Sequence, residues 1–182
     1  MTPAEEHRRI AGVFADRVRG TRDWDAPAPV GGWTARDVVR HLLTWFPGFL
    51  KAGAGIELPA GDVDADPVAA WQVHADGVQA LLDDPATAEL TFSNPHTGEL
   101  PLAQAIDQFY TADVFMHTWD LARATGQDER LDPEKCRELL RGMEPIEELI
   151  RASGQYGPRV DVPEGSDVQT RLLGFIGRDP LG

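Results

Sequence analysis

The chain carries a single cysteine, Cys136, in 182 residues. An internal disulfide is thereby excluded, and a reducing cytoplasm is the simplest home for the protein. Long apolar runs are missing too. No uninterrupted hydrophobic segment approaches the roughly 20 residues that a membrane-spanning helix needs. The opening residues, Met1-Thr-Pro-Ala-Glu-Glu6, are polar and acidic, unlike a secretory signal. Positive charge is scarce: 17 Lys and Arg stand against 30 Asp and Glu, giving a net charge of −13 and a pI near 4.7. Such a chain repels phosphate backbones, and no local basic cluster offsets this, so neither nucleic acid nor an anionic membrane is an expected partner. Repeats, low-complexity tracts and long like-charge runs are also absent.

What is present is a globular composition, 42% hydrophobic. The length suits one domain with a real core and is short for two, so residues 1–182 are expected to form a single domain. The pattern is helical throughout. Thr2-Pro3-Ala4-Glu5 is a capping box with Pro at the first helical position, followed by Ile10, Val13, Phe14 and Val18 at helical spacing up to Gly20. Thr34 to Asp37 repeats the capping signal before a stripe of Val38, His41, Leu42, Trp45 and Phe49, and Pro47 is expected to kink or end that helix. Asp66-Pro67 opens a third helix with Val68, Trp71, Ala75, Val78 and Leu82 on one side. Asn94 to Gly98 is a turn whose flanks read as briefly extended. A fourth helix runs from about Leu102 to Thr125, with Gly126 as its cap. Asp132-Pro133 begins a fifth, broken near Pro145 and closed at Gly154, and a last short helix spans Val168 to Phe175. The expected architecture is all-α: an antiparallel four-helix bundle over about 2–126, with a short extended hairpin before the fourth helix and a C-terminal helix and tail over 132–182.

Asp113 and His117 lie four apart in the fourth helix, on a stripe shared with Ile106, Tyr110, Leu121 and Ala124. A carboxylate and an imidazole aimed at a core need a partner, since a buried unpaired polar group costs about 1–3 kcal/mol. A divalent metal is one such partner, and His41, on the apolar stripe of the second helix, is the candidate third ligand. Two imidazoles and a carboxylate with open positions are the layout of a catalytic metal site. The competing reading is an i, i+4 ion pair beside a core histidine. Asp120 is a candidate outer acceptor for an imidazole N–H, and Trp45 a candidate cavity wall. Asp120 and Arg123 are the nearest candidates for a base and an anion contact, although an i, i+3 ion pair between them at the pocket edge or surface is the favoured reading. His7 sits among charged residues and is expected in solvent, His74 is expected to pack, and His96 is expected in an exposed turn. Cys136 reads as a buried, inert thiol, and the tryptophans at 24, 33, 45, 71 and 119 as core and interface material.

Two segments also carry a resemblance. The run His117-Thr-Trp-Asp-Leu-Ala-Arg-Ala-Thr-Gly126, preceded by Ala112-Asp113-Val114, and the segment Gly32 to Leu42 resemble signatures of actinobacterial metal-binding proteins of the DinB-like superfamily. These are related to the N-terminal domain of mycothiol-dependent maleylpyruvate isomerase. The ending Arg171-Leu-Leu-Gly-Phe-Ile-Gly-Arg178-Asp-Pro180 is similar to the same group. The resemblance implies a divalent metal held by one histidine of the second helix and an acidic-x-x-x-His pair of the fourth, here His41, Asp113 and His117. It also implies mycothiol as a cofactor. Two departures stand out. The isomerase has a further C-terminal domain where this chain has a short tail, and it uses a glutamate where Asp113 stands, so a metal here sits nearer the helix.

The function expected is that of a metal-dependent enzyme that activates a low-molecular-weight thiol for transfer to, or isomerisation of, an electrophilic substrate, with Zn²⁺ or Ni²⁺ as the metal. A metal-dependent hydrolase and a non-catalytic small-molecule or metal-binding module are the alternatives. A facial-triad Fe(II) oxygenase ranks below them, because that triad usually stands on a β-scaffold. Dimerisation fits a small bundle with several large apolar residues.

Overall fold

The computed structural model describes every residue except His96 and Thr97, so the expectation for His96 lies outside the described residues. The chain is mostly helical, with one two-stranded hairpin. Helix α1 spans Pro3–Gly20, α2 Ala35–Ala54 and α3 Pro67–Asp83. Each begins where capping chemistry satisfies orphan backbone donors. Thr2 and Glu5 form a reciprocal box at α1, Thr34 and Asp37 at α2, and the Asp66 carboxylate accepts from the Val68 and Ala69 N–H groups at α3. Strands β1, Thr91–Asn94, and β2, Gly98–Pro101, pair antiparallel. The fourth helical run is continuous but not uniform: α4, Leu102–Ala105, passes through a π-helical segment, Ile106–Thr111, into α5, Ala112–Thr125. Gly126 takes a φ of +67° as its cap. Helices α6, Pro133–Met143, α7, Glu147–Ala152, and α8, Val168–Phe175, complete the chain. No helix among the described residues is long and apolar enough to cross a membrane.

Helix α1 packs on α3 and α5, α2 packs on α3, α5 and β1, and α8 packs on α6. One apolar core runs through all of these elements, from Ile10 and Phe14 of α1 to Leu172 and Phe175 of α8. Several expectations need correction. Val13 and Val68 are exposed, because the true stripes run through Ile10, Phe14 and Val18 and through Trp71 and Val78. Pro47 does not end α2, which continues for another two turns. Helix α5 buries nearly its whole circumference, from Val114 to Ala122, rather than one face, since it has neighbours on more than one side. His7 is buried, not solvated. Its Nδ1 meets Gln79 Oε1 at 2.8 Å, because α3 covers that side of α1. His74 packs in the core, beside Trp71, Phe46 and Tyr110.

Candidate metal centre

Helix α2 carries His41 and Trp45 on the face that meets α5, and α5 carries Asp113, His117 and Asp120 one turn apart. Where the two helices pack, one donor atom each from His41, Asp113 and His117 lies within 4.8 Å of the others. The sequence-derived trio therefore does converge. It converges at the margin of the core rather than deep inside it: the side chains of His41, Asp113 and His117 are 32%, 19% and 7% exposed. Between Ala112 and Ala122 of α5, Asp113 is the residue that is only partly buried.

The separations have chemical content. His41 Nε2 stands 3.3 Å from Asp113 Oδ2, and His117 Nε2 3.5 Å from Asp113 Oδ1. Charge-assisted N–H···O⁻ bonds close to about 2.7–2.9 Å. Neither contact has closed that far. Neighbouring ligands of a tetrahedral ion stand about 3.3 Å apart when metal–ligand bonds are about 2.0–2.1 Å, so these two contacts, each to a different oxygen of Asp113, have a spacing that ligation and a loose ion pair share.

The other nitrogen of His117 is engaged differently. Its Nδ1 lies 2.8 Å from Asp120 Oδ2, so an Nδ1–H donated there leaves the Nε2 lone pair turned towards Asp113. Burial disfavours the His117 imidazolium, but Asp113 and Asp120 outweigh it and raise the pKa. Asp120 is wholly buried, and Arg178 of the C-terminal tail donates to both its oxygens, Nε to Oδ1 at 2.7 Å and Nη2 to Oδ2 at 2.8 Å. Burial works against the Asp120 charge, yet Arg178 and His117 hold its carboxyl below the ordinary range.

This overturns the ion pair expected between Asp120 and Arg123. Asp120 turns inward, where His117 and Arg178 occupy it. Arg123 turns outward to pair with Glu129, donates to the carbonyls of Pro180 and Gly182, and lies over the Trp119 ring.

Aromatic residues frame the trio. The Trp45 indole N–H donates to Asp113 Oδ2 at 2.9 Å, a more specific task than a cavity wall. Trp33 lies against both imidazoles, with ring centroids 5.0 Å from His41 and 5.8 Å from His117. Tyr156, from the tail, has its phenol pushed up to about 12 by burial and by the charge of Asp113, partly opposed by Arg178. The contributions of Trp33, Tyr156 and Arg178 were not read from the sequence. Only the resemblance of the segment Gly32 to Leu42, which holds Trp33, and of the ending around Arg178 hinted at any of them. Cys136 is buried on α6, and burial with Asp132 and Asp167 pushes its thiol up to about 12, so it is inert as expected.

Residues 4–122 match the family model of the mycothiol maleylpyruvate isomerase N-terminal domain. The chain is also 30% identical, over 189 aligned positions, to two uncharacterized proteins of Mycobacterium tuberculosis, one from each of two strains, with 98% of this chain and 98% of theirs covered. No solved structure gives a significant match.

Proposed function

This chain belongs to the mycothiol maleylpyruvate isomerase N-terminal domain family, and on that premise we propose that it is a divalent-metal protein that activates a low-molecular-weight thiol, mycothiol in the first place, for transfer or isomerisation. His41 Nε2, His117 Nε2 and an Asp113 oxygen are the proposed ligands, with Zn²⁺ or Ni²⁺ the metals that suit two imidazoles and a carboxylate. The observation that supports the reading is the convergence of one donor atom each from His41, Asp113 and His117 within 4.8 Å, with both imidazoles farther from Asp113 than a closed charge-assisted hydrogen bond. Three protein ligands leave coordination positions open. A cation held there would supply Lewis acidity, which lowers the pKa of a thiol and favours its nucleophilic form.

The chain's own part is orientation. Trp45 fixes the Asp113 carboxylate, Asp120 fixes the His117 tautomer, and Trp33 covers both imidazoles. The same reading takes the packing of α1, α2, α3 and α4–α5 as a DinB-like antiparallel four-helix bundle within one domain over 1–182. It also takes the protein as cytoplasmic, with a small thiol and an electrophile as partners, and dimerisation as a further expectation.

Protein purified without a metal-affinity tag is expected to contain a stoichiometric divalent metal, measured by plasma mass spectrometry. His41→Ala and His117→Ala are expected to lose it while keeping their helical circular dichroism. Metal content unchanged in His117→Ala rejects the site. With Co²⁺ in place, titration with mycothiol is expected to shift the d–d spectrum. A spectrum indifferent to thiol favours the hydrolase or the non-catalytic module.

A further inference from the structure

The chain's last helix brings a charge to this site from 58 residues beyond Asp120. Asp120 is 0% exposed, and an isolated buried carboxylate is strongly unfavourable unless paired and hydrogen-bonded. Arg178 meets that need with a two-pronged guanidinium, a geometry that fixes the plane of a carboxylate as well as its charge. Arg178 is itself held. After α8 the chain turns through Gly177 at a φ of +85°, the Gly177 N–H bonds the Gly174 carbonyl at 3.1 Å, and the Arg178 N–H bonds the Leu173 carbonyl at 2.8 Å. This closes the helix in a Schellman motif. Leu172, Leu173, Phe175 and Ile176 anchor the turn in the core, and the Arg178 side chain is only 14% exposed. One oxygen of the carboxylate thus fixed, Oδ2, faces His117 Nδ1.

We propose that Arg178 is a positioning residue of the metal centre: through Asp120 it locks the ring orientation and tautomer of His117 that turn Nε2 towards Asp113 and His41, making the C-terminal tail part of the site. The inference rests on reading His41, Asp113 and His117 as ligands. Its further content is that metal affinity is set by a residue that touches neither the metal nor any ligand, and that lies beyond residues 4–122.

The test uses the full chain and Zn²⁺ in competition with a chromophoric chelator, with the Co²⁺ spectrum as a second readout. Arg178→Ala is expected to bind Zn²⁺ about 10–100-fold more weakly and to shift the Co²⁺ bands, the range seen when a partner behind a metal-bound histidine is removed. Millimolar methylguanidinium, which fits the space left, is expected to recover much of the loss. Arg171→Ala, on the exposed side of α8, is expected to bind like the wild type. If Arg178→Ala does not fold, Arg178→Met in an Asp120→Asn background removes both charges together, and its affinity is expected to match that of Asp120→Asn alone. Wild-type affinity in Arg178→Ala, with only a lower melting temperature, overturns the positioning role and leaves the metal site standing, as does an Arg178→Met loss that simply adds to that of Asp120→Asn. A wild-type chain that binds no Zn²⁺ overturns the site itself and this inference with it.

Discussion

Asp113 is shared by three groups: both imidazoles approach it, and the Trp45 indole N–H holds one of its oxygens. Trp45→Phe keeps an aromatic ring but removes the indole N–H together with the five-membered part of the ring. Zn²⁺ affinity is expected to fall about 10-fold, at the lower end of the range for groups that orient ligands, with the fold intact, measured by the same chelator competition. An unchanged affinity shows that the indole N–H is dispensable. At this scale the sequence was readable where helical periodicity alone sets the neighbour, as for Asp113 and His117. It was unreadable where the partner arrives from a distant segment. Trp45 and Asp113 are 68 residues apart, and the Asp120–Arg178 pair depends on a turn at Gly177 that no periodicity encodes. Arg123 was misassigned because i, i+3 spacing identifies a possible neighbour and cannot say that a stronger donor already occupies the carboxylate.

The elements themselves were legible in their capping chemistry. Thr2, Thr34, Asp66 and Asp132 each precede a helix and accept from its first turn, and the structure adds Asp167 before α8. What the pattern hid were departures from ideal geometry. The π-helical turn at Ile106–Thr111 leaves no compositional mark, and α2 tolerates Pro47 inside a packed helix. The hairpin seats on α2 through a close approach: Phe92 of β1 stacks on Phe49 at 4.5 Å, and a Cβ at Gly53 would fall 2.1 Å from the Phe92 ring. Helix propensity favours alanine over glycine by about 1 kcal/mol, while overpacking a core costs about 1–3 kcal/mol. The second effect wins, because Phe92 is buried and has no room to swing. Gly53→Ala is expected to lower stability by about 1–2 kcal/mol in urea denaturation, and Phe92→Leu is expected to cost less in the alanine background than in the wild type. A stabilised Gly53→Ala protein refutes the close approach.

Across the whole molecule, acid is expected to act through the core before it acts through the surface. His74 is buried among Trp71, Phe46 and Tyr110, and burial with the neighbouring His7 lowers its pKa from 6.5 to about 4. His7 is lowered in the same direction, mainly by burial. The unfolded chain therefore takes up a proton that the folded chain refuses. Stability is whole above about pH 6.5 and drains away as pH falls towards 4, by about 3 kcal/mol for His74. Urea unfolding between pH 7 and 4 is expected to show this slope in the wild type and a clearly shallower one in His74→Leu; parallel slopes count against it. One consequence of the Arg178 clamp concerns where such a protein can be cut. Every proposed ligand falls inside the stretch that family pattern recognises, so a fragment trimmed to that stretch looks complete on paper. It would discard the guanidinium that holds one of those ligands in place, and its boundaries are better drawn by counterions than by signatures.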